Sequence, residues 1–304
     1  MRLLFIFVDG IGLGPNEPGN PFTDNKTPGI SSLLNGLDLT IEAAGFTGKD
    51  ASLIDLDAVM GVNGLPQSAT GQASIFTGHN APAHLGYHLN GFPDERLRKL
   101  LSDKGIFLQL KKRGYKVNFA NAYRPAFFEM LKRGLPGNSY SCSTLITYYG
   151  GLPFYGLQDL KEGRALYMDI TSETLCRMGF DVPLITPEQG ASHLLEISKD
   201  YDFCLFEYFL SDLAGHLADR DEAKRVLSDL DRFISTISSG LDQSETFLML
   251  ASDHGNLEFL SSREHTANPV PLLMVGSSKI RDTVALTMKD LTDILAAVNM
   301  ILES

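Results

Sequence analysis

The sequence has 304 residues, 43% hydrophobic and 21% charged, which suits one large α/β domain or one domain with a modest insertion. Its formal net charge of −11 argues against a nucleic-acid partner, because phosphate backbones are met by an excess of Lys and Arg. The three scattered cysteines, Cys142, Cys176 and Cys204, form neither a disulfide framework nor a thiolate zinc site, which fits a reducing cytoplasm.

In chain order, the continuous apolar run Leu3 to Val8 predicts a buried first strand. It is too short for a signal peptide and stops at Asp9 with no small-residue cleavage pattern. A loop, Asp9 to Pro15, follows. Residues 69–77 read as a short helix closed by Gly78. A helix over 95–113 leads into a strand over 115–120. The stretch 124–186, rich in Gly, Pro, Ser and Tyr, breaks the alternation and is expected to be a small cap or lid inserted into a core made of 1–123 and 187–304. A helix over 187–200, a strand over 203–210, an amphipathic helix over 219–238 and strands over 247–251 and 270–275 complete the chain. No apolar run is long enough to span a bilayer, so no membrane partner is expected.

This alternation predicts an α/β fold with a doubly wound, mostly parallel central sheet flanked by helices. In such sheets ligands sit beyond the carboxyl ends of the strands. Asp9, Asp212 and Asp253 each fall at or just past a predicted strand end. His216 lies four residues after Asp212, His254 adjoins Asp253, and His265 opens the segment before the last strand. Carboxylates and imidazoles without thiolates suit zinc, manganese or similar divalent ions. Singly, an Asp-His pair is also a common hydrogen-bonded turn; the inference rests on the pieces occurring together.

Ser68, in Gln67-Ser68-Ala69-Thr70-Gly71, reads locally as a helix N-cap. A helix N-terminus also attracts anions, and a serine hydroxyl there becomes a nucleophile only beside a base or a metal. The Gly-x-Ser-x-Gly nucleophile elbow is absent, which leaves metal activation as the economical route.

These residues together resemble the alkaline phosphatase superfamily, especially its metalloenzyme branch with cofactor-independent phosphoglycerate mutase and phosphopentomutase. The resemblance runs in order along almost the whole chain. Asp9-Gly10 follows the first strand, Ser68-x-x-Gly71 leads to Thr77-Gly78, and then come Asp212-x-x-Gly215-His216, Asp253-His254-Gly255 and His265-Thr266-x-Asn268-Pro269-Val270-Pro271. It implies two divalent ions, Mn²⁺ or Zn²⁺ with Mg²⁺ a further option. Asp212, His216 and His265 would hold one; Asp9, Asp253 and His254 would hold the other, with Ser68 between them as nucleophile and ligand.

Two departures qualify the match. Gln72 stands where the mutases usually carry His, and the interval from Ser68 to Asp212 is too short for the phosphoglycerate mutase insertion. The expected activity is a phosphatase or phosphodiesterase working through a phosphoserine on a small phosphate ester. A phosphomutase is the first alternative and a non-catalytic metal-binding protein the second. Among the basic residues of the expected cap, Arg124 is the best candidate substrate contact, because it follows a predicted strand. The aromatic run Tyr148 to Tyr155 reads either as lid core or as a stacking surface.

Overall fold

The computed structural model describes residues 1–134 and 140–304; residues 135–139 of the expected cap lie outside the described residues. Six strands form one sheet: β1 (Arg2–Val8), β2 (Ala51–Leu56), β3 (Val117–Phe119), β4 (Phe203–Tyr208), β5 (Thr246–Ala251) and β6 (Val270–Val275). Their spatial order is β2-β6-β5-β1-β4-β3. β1 pairs parallel with β4 and β5, and β3 parallel with β4, whereas β6 is antiparallel to both β5 and β2. The expected mostly parallel α/β sheet is therefore what forms, with β6 the reversed strand.

The central strand explains the double winding. Leu3, Phe5 and Phe7 face one core and Leu4, Ile6 and Val8 the other, because side chains alternate faces along a strand. Both faces are apolar, so helices must cover both. Pro187–Ser198 and Arg220–Gly240 cover the second face. The longer helix buries Ala223, Val226, Leu227, Leu230, Phe233, Ile234 and Ile237, the spacing of an amphipathic helix. Ser68–Thr77, Glu95–Lys104, Ile106–Lys112, Cys142–Tyr149 and Ile294–Leu302 cover the first face.

Element boundaries shifted in explicable ways. The helix expected over 95–113 is two helices that meet at Gly105, where a Cβ would come within 2.6 Å of the Leu101 carbonyl oxygen and 3.1 Å of Ile146. The strand read as far as Leu210 ends at Tyr208, because Leu210 already opens the helix Leu210–Leu217. β2 was not anticipated. Its Ala-Ser-Leu-Ile-Asp-Leu sequence carries only a short, mixed apolar pattern, and antiparallel pairing with β6 makes it a strand.

Within 124–186 the chain does two different things. Tyr140, Cys142, Leu145, Ile146 and Leu152 join the main core beside the Ser68–Thr77 helix. Leu160, Ala165, Tyr167, Leu175 and Val182 form a small cluster of their own with Ala122. The helix Pro125–Lys132 buries none of its residues. Among the described residues, no helix is long and apolar enough to cross a membrane.

The β2 edge is pinned by Arg281, which is fully buried. It donates from Nε to the Gly276 carbonyl (2.9 Å), from Nη1 to Ser52 Oγ (2.6 Å), and from Nη2 to the carbonyls of Gly48 (3.1 Å) and Lys49 (2.6 Å). Truncating it strands those acceptors, each at a desolvation cost of about 1–3 kcal/mol. Arg281→Ala is expected to lower the unfolding free energy by roughly 2–4 kcal/mol in urea denaturation. An unchanged midpoint would show that the clamp contributes nothing.

Candidate active site

The parallel strands deliver their following residues to one edge of the sheet. Asp9 follows β1 directly, and Asp253 and His254 come two and three residues after β5. Asp212 and His216 stand one turn apart on the helix that follows β4. The reversed β6 brings His265, five residues before its start, to that same edge. The segment after β2 leads to Ser68 at the start of its helix.

Ser68 is not the cap of that helix. Gln67 occupies the N-cap with no side-chain cap bond, and Ser68 is the first helical residue. Its hydroxyl is therefore free for another partner, and Ser68 Oγ lies 3.0 Å from His254 Nε2. The same nitrogen is 3.2 Å from Asp9 Oδ1 and 3.6 Å from Asp253 Oδ2. On the other side, Asp212 Oδ2 is 3.3 Å from His216 Nε2 and Asp212 Oδ1 is 3.6 Å from His265 Nε2. The His254 and His265 rings stack at 3.7 Å between centroids.

Two arrangements allow this density. Gly10 adopts φ +72°, and a Cβ there would sit 2.7 Å from the Asp212 Cβ. A Cβ on Gly71 would sit 2.8 Å from the Asp253 carbonyl oxygen. Glycine lets the first loop and the Ser68 helix approach the carboxylates.

The donor set fits divalent cations. Asp212, His216 and His265 offer ligand atoms within 4.8 Å of one another, as do Asp9, Asp212 and His254. Among the described residues, the buried oxygens Asp9 Oδ1 and Asp253 Oδ2 have no hydrogen-bond partner, only the close approach of His254 Nε2, which is costly unless a positive charge meets them. His265 Nδ1 lies 2.8 Å from the Pro66 carbonyl and His216 Nδ1 2.8 Å from the Arg263 carbonyl. A carbonyl only accepts, so both Nδ1 atoms donate, and each Nε2 keeps its lone pair in the neutral ring. Those two Nε2 atoms face one another at 3.2 Å, an arrangement that a shared cation resolves.

The electrostatics carry the same strain. Burial, reinforced by Asp9, pushes the Asp253 carboxyl well above its usual range and raises Asp212. Burial alone would lower His254, but Asp253 and Asp9 outweigh it and raise it to about 10. Burial and the neighbouring His254 push His265 down to about 4.

Several supporting residues escaped the sequence reading. Buried Glu258 accepts from the backbone N–H of Gly12 (2.9 Å) and Asn256 (2.8 Å), from Asn268 Nδ2 (3.0 Å) and from the Thr266 hydroxyl. One carboxylate thus ties the loop after β1 to both ends of the β5–β6 connection. Asn256 Nδ2 donates to Asp212 Oδ1 at 2.6 Å, and Gln72 Nε2 to Asp9 Oδ2 at 3.3 Å. Their signal was proximity to the motifs, which fixes no partner in advance.

The structure thus brings Asp9, Ser68, Asp212, His216, Asp253, His254 and His265 together, and leaves Arg124 apart. Arg124 is the exposed N-cap of Pro125–Lys132 and lines a neighbouring cavity of about 350 Å³ whose walls include none of those seven residues. A cleft of about 420 Å³ opens beside the cluster between Gln67, Asn90, His216, Arg263 and His265. A larger concavity, about 540 Å³, lies at the opposite edge of the sheet near Arg2, Lys116 and Asp202 and holds none of these residues.

Glu207, at the end of β4, is buried and accepts from Ser143 Oγ at 2.6 Å. Burial pushes its carboxyl up to about 7, with Asp9 adding to the shift. A folded value above the unfolded one means that the native state holds the extra proton. The stabilisation is full below about 4.5 and is lost as pH rises through about 7. Glu207→Gln is expected to remove this loss, so wild type and variant should converge at acid pH and diverge towards neutrality in denaturation measured over that window. Parallel pH profiles would refute the assignment.

Comparison with known proteins fits this site. The Metalloenzyme superfamily model matches residues 167–303, which include Asp212, His216, Asp253, His254 and His265. The 2,3-bisphosphoglycerate-independent phosphoglycerate mutase of Methanococcus maripaludis is 30% identical over 94 residues, covering 31% of this chain and 23% of that protein. The mutase of the same name from Ruegeria pomeroyi is 28% identical over 128 residues, covering 40% of this chain and 25% of its own length. The chain thus matches about a quarter of these curated relatives. In fold, it is similar to the PH0037 protein from Pyrococcus horikoshii, with TM-score 0.58, 15% identity and coverage of 98% and 97% of the two chains. It is also similar to Thermus thermophilus alkaline phosphatase, with TM-score 0.52, 12% identity and coverage of 98% and 90%. Residues 167–303 thus match the Metalloenzyme superfamily model, and the fold as a whole is similar to that of these two solved structures.

Proposed function

We infer that this chain is a two-metal phosphoryl-transfer enzyme in which Ser68 attacks a small phosphate ester, most simply as a phosphatase or phosphodiesterase. The observation that carries the reading is the Ser68 hydroxyl, released from capping and held 3.0 Å from His254 Nε2 amid six Asp and His side chains. Asp212, His216 and His265 would hold one ion, and Asp9, Asp253 and His254 the other, with the Asp212 carboxylate facing both sets. Nitrogen and oxygen donors without thiolate suit Mn²⁺ or Zn²⁺, with Mg²⁺ a weaker match to the imidazoles. Bound there, the ions supply the charge that lowers the pKa of the serine hydroxyl and offsets the phosphoryl oxygens.

A Ser-His hydrolase without metal is disfavoured by the same histidine. His254 Nε2 faces Ser68, Asp9 and Asp253 together, while its Nδ1 is directed to the Gly255 carbonyl at 3.4 Å rather than to an orienting carboxylate.

The chain's own residues then have defined tasks. The first N–H groups of the Ser68 helix, which have no intrahelical acceptor, receive a phosphoryl oxygen. Ser68 Oγ forms the new O–P bond as the leaving-group oxygen departs in line with its electron pair and takes up the proton that the serine hydroxyl gives up. Gln72 and Asn256 keep the Asp9 and Asp212 carboxylates oriented. Water then attacks the phosphoserine, and Ser68 recovers its proton. Within 124–186, the helix Pro125–Lys132 and the cluster around Leu160, Tyr167 and Leu175 act as the cap that selects the ester. The similarity to phosphoglycerate mutases supports a second reading, in which a substrate hydroxyl takes the phosphoryl group back from Ser68.

Ser68→Ala is expected to abolish turnover with the thermal unfolding curve unchanged, and the wild type quenched during turnover should gain one phosphoryl mass on the Ser68 peptide. Full activity in the variant would sink the nucleophile assignment. Chelation should remove activity, and Mn²⁺ or Zn²⁺ should restore it to the wild type but not to Asp253→Asn; metal content measured on both proteins checks this, and equal content would disprove the ligand role. Free phosphate scored beside isomerised product separates hydrolase from mutase.

A further inference from the structure

The cavity of about 350 Å³ beside β4 is within the size range of small-molecule sites. It opens at the same sheet edge as Ser68. Glu207, on its floor, is paired in register with Phe7, two residues before Asp9 and on the same face of the sheet. Cys142, next to the wall residue Ser141, places its Sγ 3.3 Å from the Ala69 carbonyl, one residue from Ser68. The cavity therefore lies one strand away from the phosphoryl site.

Its walls are aromatic. Tyr123 and Phe127 stack at 4.0 Å, and Phe127 meets Tyr140 edge-on at 6.1 Å. Phe127 comes from Pro125–Lys132, the helix that turns Ala126, Phe127 and Met130 to the cavity while burying nothing. Polar groups are built into the same wall. A hydroxyl chain runs from Tyr123 Oη to Thr144 Oγ1, on to Ser141 Oγ and Ser143 Oγ, each step 2.9 Å, and ends at Glu207 Oε2. Tyr140 is 3% exposed, lines the cavity, and its hydroxyl has no hydrogen-bond partner among the described residues. A buried phenol without a partner is uncommon and marks a place where a ligand group belongs. Among the described lining residues Arg124 is the cation, and it stands exposed at the mouth.

We propose that this cavity is the leaving-group pocket and takes an uncharged aromatic ring bearing a hydroxyl or amino group, which Glu207 and Tyr140 anchor while Phe127 covers the ring. The proposal rests on the phosphoryl-transfer reading of Ser68. Aromatic walls favour ring contacts, and an interior acceptor beside an unpaired phenol favours a group that both donates and accepts. Among the described lining residues, a carboxylate-bearing leaving group would meet no cation other than exposed Arg124.

The test uses the metal-loaded full chain with three alkyl phosphates of similar leaving-group basicity: ethyl phosphate, phenethyl phosphate and tyrosol phosphate, its para-hydroxy counterpart. Tyrosol alone is titrated calorimetrically as a probe that needs no chemistry. In the wild type, kcat/KM is expected to rise at least about tenfold from ethyl to tyrosol phosphate. Phe127→Ala should lose most of that gain and weaken tyrosol binding. Tyr140→Phe should lose only the advantage of tyrosol over phenethyl phosphate. Equal kcat/KM on all three esters with no tyrosol binding overturns the pocket and leaves the phosphoryl reading standing. Tyrosol binding that Phe127→Ala weakens, with no ester turned over and no phosphoserine formed, retains the pocket and removes the phosphoryl reading. Tyrosol binding and turnover equally insensitive to Phe127→Ala and Tyr140→Phe also overturn the proposal.

Discussion

The structure is organised around a crowd of like charges in a place with little water. Asp9 and Asp253 are buried with an oxygen each unpaired, and Asp212 stands within reach of both histidine sets. A protein interior does not tolerate such a cluster unless protons or cations neutralise it. Protons on the carboxylates alone leave the two Nε2 lone pairs of His216 and His265 facing one another. The remaining architecture serves to assemble this cluster: a two-faced central strand, a sheet edge where loops converge, and glycines that let a helix and a loop come within contact distance.

Much of this was legible before any coordinates. Leu3 to Val8 read as a two-sided strand because both of its faces are apolar, and the sheet class followed. The six Asp and His residues stood out because they cluster at strand ends, where parallel sheets place ligands. Ser68 was legible as a residue but not as a conformation. Local pattern made it an N-cap, and only the packed structure moves the cap to Gln67 and frees the hydroxyl.

What escaped the sequence depends on long-range pairing. β2 becomes a strand only through β6. Glu258, Asn256 and Gln72 gain their meaning from partners in other segments. The aromatic run Tyr148 to Tyr155 drew attention by density, yet Tyr148 is exposed, Tyr149 packs on the main core, and Tyr155 Oη donates to Asn118 Oδ1. The rings that line a cavity, Tyr123, Phe127 and Tyr140 among them, are scattered along the chain. The resulting separation is spatial: charge is concentrated at the ends of β1 and β5, and an aromatic-lined cavity lies one strand over at β4.

The reversed direction of β6 has a bearing on folding fidelity. His265 reaches the cluster from the start of a strand whose pairing to β5 is fixed at Leu248 with Val275 and Ala251 with Leu272. An antiparallel slip of one residue turns every side chain to the opposite face, and it would carry the segment bearing His265 out of line with Asp212. A cation, were one held by His265, Asp212 and His216, would therefore oppose misregistration, since a slipped sheet would forfeit the coordination. The last strand to be added along the chain would be proofread by the chemistry it completes.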